Sequence, residues 1–512
     1  MTNEPQFNPT TGNWLLATVI LGSAMAFIDG SGVNIALPEI QRELEVDTRS
    51  VQWVAEAYVL MLAALTLVGG ALCDRHGRRR CYAIGILLFA CASLACAAAV
   101  DVRQLVIARG LQGIGGALLL PGGLALIGGY FPAEKRGRAI GTWAACGAIG
   151  GMVAPLLSGW LIETLSWRWI FYLNLPLSII TLTLLFTRVP ESWNPHRSGS
   201  PDWAGAGLAS VALSLLVFGL IEYPGRGISH PQVAGTLVAG ALLLLLFLWV
   251  ESRSQSPMLP LGLFRSPLFS GVNFATLLLY TGLNGTLFFL PFYLIYVLNF
   301  SAVETGASFM PMSIAILLLS RRVGGLAGHR PRALLVTGSC CTALAYLLLS
   351  RTGPESSYWL TVFPGVITIG LGMGLCIAPI THVALGAVAG HQTGLASGVN
   401  NAVARLSSVL AIALFGIVIS HHYNRELDQG LSDLNASPAV VNHFKMERAK
   451  LAAATPPASL PSSESSVFSG LIKRAFSRGF GIVCLFSMAL SLATALCLWL
   501  TIPPAGLPNP DT

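Results

Sequence analysis

A chain of 512 residues with 54% hydrophobic and only 10% charged side chains stands far from the roughly 25% charged content of soluble domains. With a mean hydropathy of +0.68, this excludes a water-soluble globular protein. The net charge of +7 raises nucleic acid as a partner. No basic patch interleaved with aromatic residues lies on a polar segment, so nucleic acid is excluded and the charge reads as topology.

Apolar runs long enough to cross about 30 Å of hydrocarbon start at 14–37, a stretch interrupted by one acid, Asp29. An ionisable group at that depth is costly and normally faces a bundle interior, a cavity or an ion path. The next run, 51–72, holds a second acid, Glu56, and ends in GALCDRHGRRR, Gly70 to Arg80. Runs at 81–100 and 104–129 follow. The latter carries RGLQGIGGA, in which Arg109, Gln112, Gly113 and Gly116 share one helical face. A buried arginine there needs an acceptor or a carboxylate partner. In 138–162, Gly147, Gly151, Pro155 and Gly159 form an i+4 ladder that admits a neighbouring helix closely, with a kink at Pro155. The run at 169–187 completes six spans within residues 1–190.

Two further spans, 203–222 and 232–251, occupy the segment 191–255. Runs at 268–298, 305–320, 333–350, 359–382, 394–420 and 477–502 give a second set of six within 256–512. GGLAGHRPR, Gly324 to Arg332, repeats the Gly-rich, basic end of the second span after the tenth, with Gly328 in place of Asp74. The two sets therefore read as related halves. Arg405 is the buried charge of the second half, beside Asn400 and Asn401. The long polar stretch at about 421–479 contains TPPASLPSSESS, Thr455 to Ser466. That composition predicts a loose extracytoplasmic loop with one short amphipathic helix near 436–454.

With the N-terminus inside, the inner short loops hold fifteen Lys and Arg, from Arg75 and Arg78 to Arg330 and Arg332. The outer short loops hold six: Arg42, Arg49, Arg103, Arg168, Arg226 and Arg351. Both termini are therefore expected in the cytoplasm. The ten cysteines lie within spans or at their ends, without CxxC or Cys/His spacing, so neither disulfides nor a metal site is expected. HExxH, GxSxG and GxxxxGK[ST] are all missing from the sequence, which speaks against an enzyme. A protonatable carboxylate that binds proton and substrate in competition gives antiport without further machinery, and Asp29 and Glu56 are the acids placed to do so.

Gly70-Ala-Leu-Cys-Asp74-Arg75-His-Gly77-Arg78-Arg79 resembles the loop 2–3 signature of the major facilitator superfamily. RGLQGIGGA resembles the span-4 motif of its proton-coupled exporters. GAIGGMVAPLLSGW, Gly147 to Trp160, is similar to its antiporter span-5 motif, with Ala154 and Ser158 where the family usually has Gly. FIDGSGVNIALP, Phe27 to Pro38, resembles the span-1 motif of the fourteen-span drug:proton antiporter branch. WRWIFYLNLP, LPLGLFRSPLF and GLASGVNNAVARLSSVLAIALFG also look like that branch.

The resemblance implies an all-α polytopic membrane protein: two six-helix bundles plus two central spans, fourteen transmembrane helices in all, in the cytoplasmic (inner) membrane. It implies proton coupling at Asp29, Glu56 and Arg109, and a conformational latch at Gly70, Asp74, Arg75, Gly77 and Arg78. In that latch Gly70 lets helices approach closely, while Asp74 accepts bonds from a helix N-terminus or an arginine. A substrate cavity would draw on Asn34, Trp53, Tyr58, Gln112, Asn284, Phe288 and Arg405. The expected function is export of hydrophobic, often cationic drugs, driven by the proton-motive force with no cofactor. A dedicated exporter of one endogenous metabolite or antibiotic stays open, as does a proton symporter importing a metabolite. The partners expected are lipid, protons and small-molecule substrates. A monomer is expected, and the sequence specifies no periplasmic adaptor.

Overall fold

The computed structural model describes residues 8–192, 202–254, 257, 259–326, 330–388 and 392–503. Within them every long element is a helix: α1 (Pro9–Glu43), α2 (Thr48–His76), α3 (Arg78–Ala98), α4 (Val102–Tyr130), α5 (Ala133–Thr164), α6 (Arg168–Tyr172), α7 (Asn174–Arg188), α8 (Trp203–Arg226) and α9 (Pro231–Arg253). There follow α10 (Pro267–Phe292), α11 (Ala302–Ala307), α12 (Met310–Leu326), α13 (Pro331–Leu349), α14 (Phe363–Gly386), α15 (Thr393–Asp433), α16 (Pro438–Glu447) and α17 (Ser462–Thr501). Helices are the outcome physics allows, since a spanning segment in lipid must satisfy every backbone N–H and C=O within itself. Thirteen stretches among the described residues are long and apolar enough to cross a membrane, with α6–α7 and α11–α12 each making one span. The 29 residues of α2 complete the fourteen.

The polar stretch at 421–479 is not the loose loop its composition suggests. α15 continues to Asp433, α16 and a 3-10 turn at Arg448–Ala453 follow, and α17 starts at Ser462, well before the expected 477. Tyr423, Leu427, Leu431, Phe444, Leu451, Phe468 and Leu471 are buried in this region. Their apolar side chains give the segment a small core of its own, which outweighs the Ser/Pro content. Only the short stretches at 434–437 and 454–461 are without helix.

Two compact units emerge. The first comprises Met1–Ala36, Val54–Leu213 and Leu242–Leu259; the second comprises Leu37–Trp53, Ser214–Ala241 and Pro260–Thr512. In the first, α3 and α4 run almost backbone to backbone. A Cβ on Gly85 would sit 2.9 Å from Leu119 N, and one on Gly115 would sit 2.6 Å from Phe89 N. Such contacts require glycine, and they bring the polar side chains of the two helices within hydrogen-bond reach. In the second unit α10 packs on α15 and α17, and α13 on α14 and α17. There Asn400 donates to Asn273 Oδ1 at 3.1 Å and to Thr276 Oγ1 at 3.0 Å.

Candidate functional site

Asp29 is fully buried on α1, and Arg109 on α4 is 2% exposed. Arg109 Nη1 lies 2.5 Å from Asp29 Oδ2. The same guanidinium donates from Nε to the Val54 carbonyl at 3.0 Å and from Nη1 to Gln112 Oε1 at 2.7 Å. Gln112 closes the ring: its amide donates to Asp29 Oδ1 at 2.8 Å and to Ser93 Oγ at 3.0 Å. Ser93 in turn donates to the Phe89 carbonyl at 2.7 Å and accepts from Asn174 Nδ2 at 3.2 Å. Tyr58 presents its ring to the guanidinium, with Arg109 Cζ 4.4 Å from the centroid. One buried polar cluster thus ties α1, α2, α3, α4 and α7 together.

The electrostatics follow from burial. An unpaired ion at this depth would cost several kcal/mol, at least about 3 for a charged side chain at a helix centre. The carboxylate and guanidinium offset each other's charge, and the amide, hydroxyl and carbonyl groups satisfy their remaining hydrogen bonds. Helical spacing explains how Arg109 and Gln112 act together, one turn apart on a single face of α4. The Ser93 and Asn174 contributions were missed in the sequence reading. A lone Asn in the apolar run NLPLSII was the available signal for Asn174; Ser93, among small apolar residues, gave none.

Glu56 is fully buried on α2, and both its carboxyl oxygens are without a hydrogen-bond partner among the described residues. It therefore does not face water, nor does it share the Asp29 cluster's hydrogen bonds. Of the residues expected around a cavity, Tyr58 and Gln112 belong to that cluster. Asn34, Asn284 and Arg405 are half-buried on α1, α10 and α15 and are not part of it. Trp53 packs tilted against Phe218 with centroids 6.1 Å apart, and Phe288 is buried against Phe289 at 4.9 Å. Both of these lie in the second unit.

The Gly70–Arg80 region differs from expectation at its glycine. A Cβ on Gly70 would meet Pro121 Cβ at 3.7 Å, an ordinary contact. It is Gly69 whose Cβ would run into the Ala117 carbonyl of α4, with Ala117 C only 2.8 Å away. The close approach therefore belongs to Gly69. Gly77 is the sole residue between α2 and α3 and has φ +102°, a region that favours glycine. Asp74 lies on the last turn of α2, and its side chain falls outside the described residues. Arg75 is exposed, while the Arg78 guanidinium lies against Gly129 at the end of α4.

A different acid caps α3. Glu191 Oε1 accepts from Arg79 N at 2.9 Å, and Glu191 Oε2 is 3.7 Å from Arg80 Nε. A carboxylate at a helix N-terminus opposes the positive end of the dipole.

The small-residue face of α5 is used unevenly. A Cβ on Gly147 would come within 2.6 Å of the Phe27 ring, whereas Gly151 has open space around it. Pro155 lies inside the continuous helix α5 and Gly159 near its end. Ser158, where a glycine is usual, is accommodated because Gly32 of α1 faces it.

Comparison with known proteins agrees with this architecture. The sequence model of the Major Facilitator Superfamily matches residues 19–412. The chain is 36% identical over 413 residues to the multidrug resistance protein Stp of Mycobacterium tuberculosis, covering 80% of this chain and 76% of that one. It is 37% identical over 411 residues to the puromycin resistance protein pur8 of Streptomyces alboniger, covering 79% and 81%. Its fold matches that of a bacterial homologue of the human lysosomal transporter Spinster with a TM-score of 0.69 at 14% identity, over 96% of this chain and 97% of that one.

Proposed function

Because the chain belongs to the major facilitator superfamily, we propose that this multi-pass membrane transporter is a proton-coupled antiporter. In this reading it exports hydrophobic, often cationic drugs across the cytoplasmic membrane by alternating access, with both termini inside. The observation that carries the proposal is the sharing of one fully buried carboxylate, Asp29, between Arg109 and Gln112. Ionised Asp29 holds the guanidinium. A proton on Asp29 removes that charge and leaves Arg109 with the Val54 carbonyl and Gln112 Oε1, so the tie between α1 and α4 weakens. Proton arrival and helix rearrangement are thereby linked through a single bond, and a cationic substrate is expelled by the same neutralisation. Glu56, buried without a hydrogen-bond partner among the described residues, is the second acid available to a proton or to a cationic substrate.

A dedicated exporter of one antibiotic is the second reading, and the similarity to a protein named for puromycin resistance favours it. The test is efflux of a fluorescent cation from cells with and without collapse of the proton gradient, comparing wild type with Asp29→Asn. Transport that needs both the gradient and Asp29 supports antiport. Efflux that survives gradient collapse removes proton coupling. A broad panel of cations that all fail, beside a single transported antibiotic, selects the dedicated exporter.

A further inference from the structure

A cavity of about 390 Å³ opens where the start of α2, the end of α8, the extended end of α15 and α16 meet, all within the second unit. Those elements border the connections after spans one, seven and thirteen, which parity puts on one side of the membrane. The size is within the ~300–1,000 Å³ of small-molecule sites. Its charged lining is wholly cationic: Arg49, Lys445 and Arg448 face it, and no carboxylate does.

The arginines are held from outside the wall. Asp47 Oδ2 takes Arg49 Nε at 2.9 Å and Nη2 at 2.7 Å, and Asp428 lies 3.4 Å from Arg448 Nη2. Arg448 Nε is buried with no acceptor among the described residues, and Asn424 Oδ1 is buried with no donor. Lys445 is exposed and has no ion-pair partner among the described residues.

From this arrangement we infer that the cavity is a binding site for a small organic anion that carries a hydroxyl beside its acid group. Lys445 and Arg448 would hold the acid, because charge-assisted hydrogen bonds to a phosphate or carboxylate are the strong ones. Asn424 Oδ1 accepts the hydroxyl, which a chloride or sulfate ion does not offer. A free hydroxylated phosphate and the glycerol phosphate headgroup of an anionic lipid share this chemistry. The site is separate from the Asp29 cluster and does not depend on which compound is exported.

The test is thermal melting of the purified full-length protein, with glycerol phosphate added in detergent and, separately, in nanodiscs of phosphatidylcholine with increasing phosphatidylglycerol. Lys445→Ala removes a cavity charge. Arg425→Ala removes a neighbouring exposed charge that does not line the cavity. A saturable rise in melting temperature with glycerol phosphate is expected, with half-saturation about tenfold weaker in Lys445→Ala, as for loss of about 1.4 kcal/mol, and unchanged in Arg425→Ala. A rise only with phosphatidylglycerol, under the same pattern of variants, assigns the ligand to lipid. No saturable rise from either probe, or equal weakening by the two variants, overturns the site. Neither readout uses transport, so failure of the export reading would leave this result standing.

Discussion

Asp29 and Gln112 are joined by a 2.8 Å hydrogen bond from the Gln112 amide to Asp29 Oδ1, which leaves Asp29 Oδ2 for Arg109 at 2.5 Å. The carboxylate is thus divided between a neutral donor and a charged one. This division gives α4 two grips on α1, of which the ion pair with Arg109 depends more strongly on the charge of Asp29 than the amide bond from Gln112.

Asp29→Asn should abolish gradient-driven efflux and also destabilise the protein. Arg109 would remain buried without a counter-ion, and breaking a buried pair from one side costs about 3–5 kcal/mol. Arg109→Met in the same background should recover most of the lost melting temperature without restoring transport, because no buried charge then remains. Melting curves of the single and double variants beside efflux rates check this. Full efflux in Asp29→Asn, or no recovery in the double variant, would contradict the pairing as the coupling element.

Gly69→Ala and Gly70→Ala separate two adjacent glycines of one motif. A methyl group at 69 collides with the Ala117 backbone, whereas one at 70 meets Pro121 at 3.7 Å. Overpacking of that kind costs about 1–3 kcal/mol, so Gly69→Ala should melt lower and transport poorly. Gly70→Ala should stay close to wild type in melting temperature. Equal losses from both substitutions would count against the crossing described here.

The helical class and the number of spans were legible because lipid leaves the backbone a single solution, so runs of apolar residues translate directly into helices. Asp29, Arg109 and Gln112 were legible for a related reason: polar groups inside such runs must find one another, and few were available. The sequence does not encode which of two neighbouring glycines faces a partner, since that depends on the rotation of α2 against α4. The short helix expected near 436–454 is present as α16, but the extension of α15 to Asp433 and the start of α17 at Ser462 were hidden, because Ser and Pro dominate the composition near Thr455 and the buried residues, such as Tyr423 and Phe468, are far apart in the chain. Asp74 drew attention by its motif, whereas Glu191 has none, and only the fold brings it to the start of α3.

Glu191→Ala should loosen the end of α3. It removes the acceptor of Arg79 N and the counter-charge near Arg80, a loss of about 1 kcal/mol by analogy with helix capping and dipole effects. Glu191→Gln keeps the acceptor and should fall between wild type and the alanine variant. Hydrogen exchange of the Arg79 and Arg80 amides reads this locally. Unchanged protection in Glu191→Ala would show that the cap contributes nothing.

Phe444→Ala should open the helical segment beyond α15 while sparing the spans. Phe444 is fully buried, with its ring centroid 5.8 Å from that of Phe468, and large-to-small changes of this kind cost about 3–5 kcal/mol. Because the segment has its own small core, the loss should be felt there first, as faster proteolysis within the non-helical stretch around 454–461. The main thermal transition, set by the membrane-spanning helices, should move little. A segment without its own core would behave otherwise: cleavage near 454–461 would already be fast in the wild type, and Phe444→Ala would leave its rate unchanged.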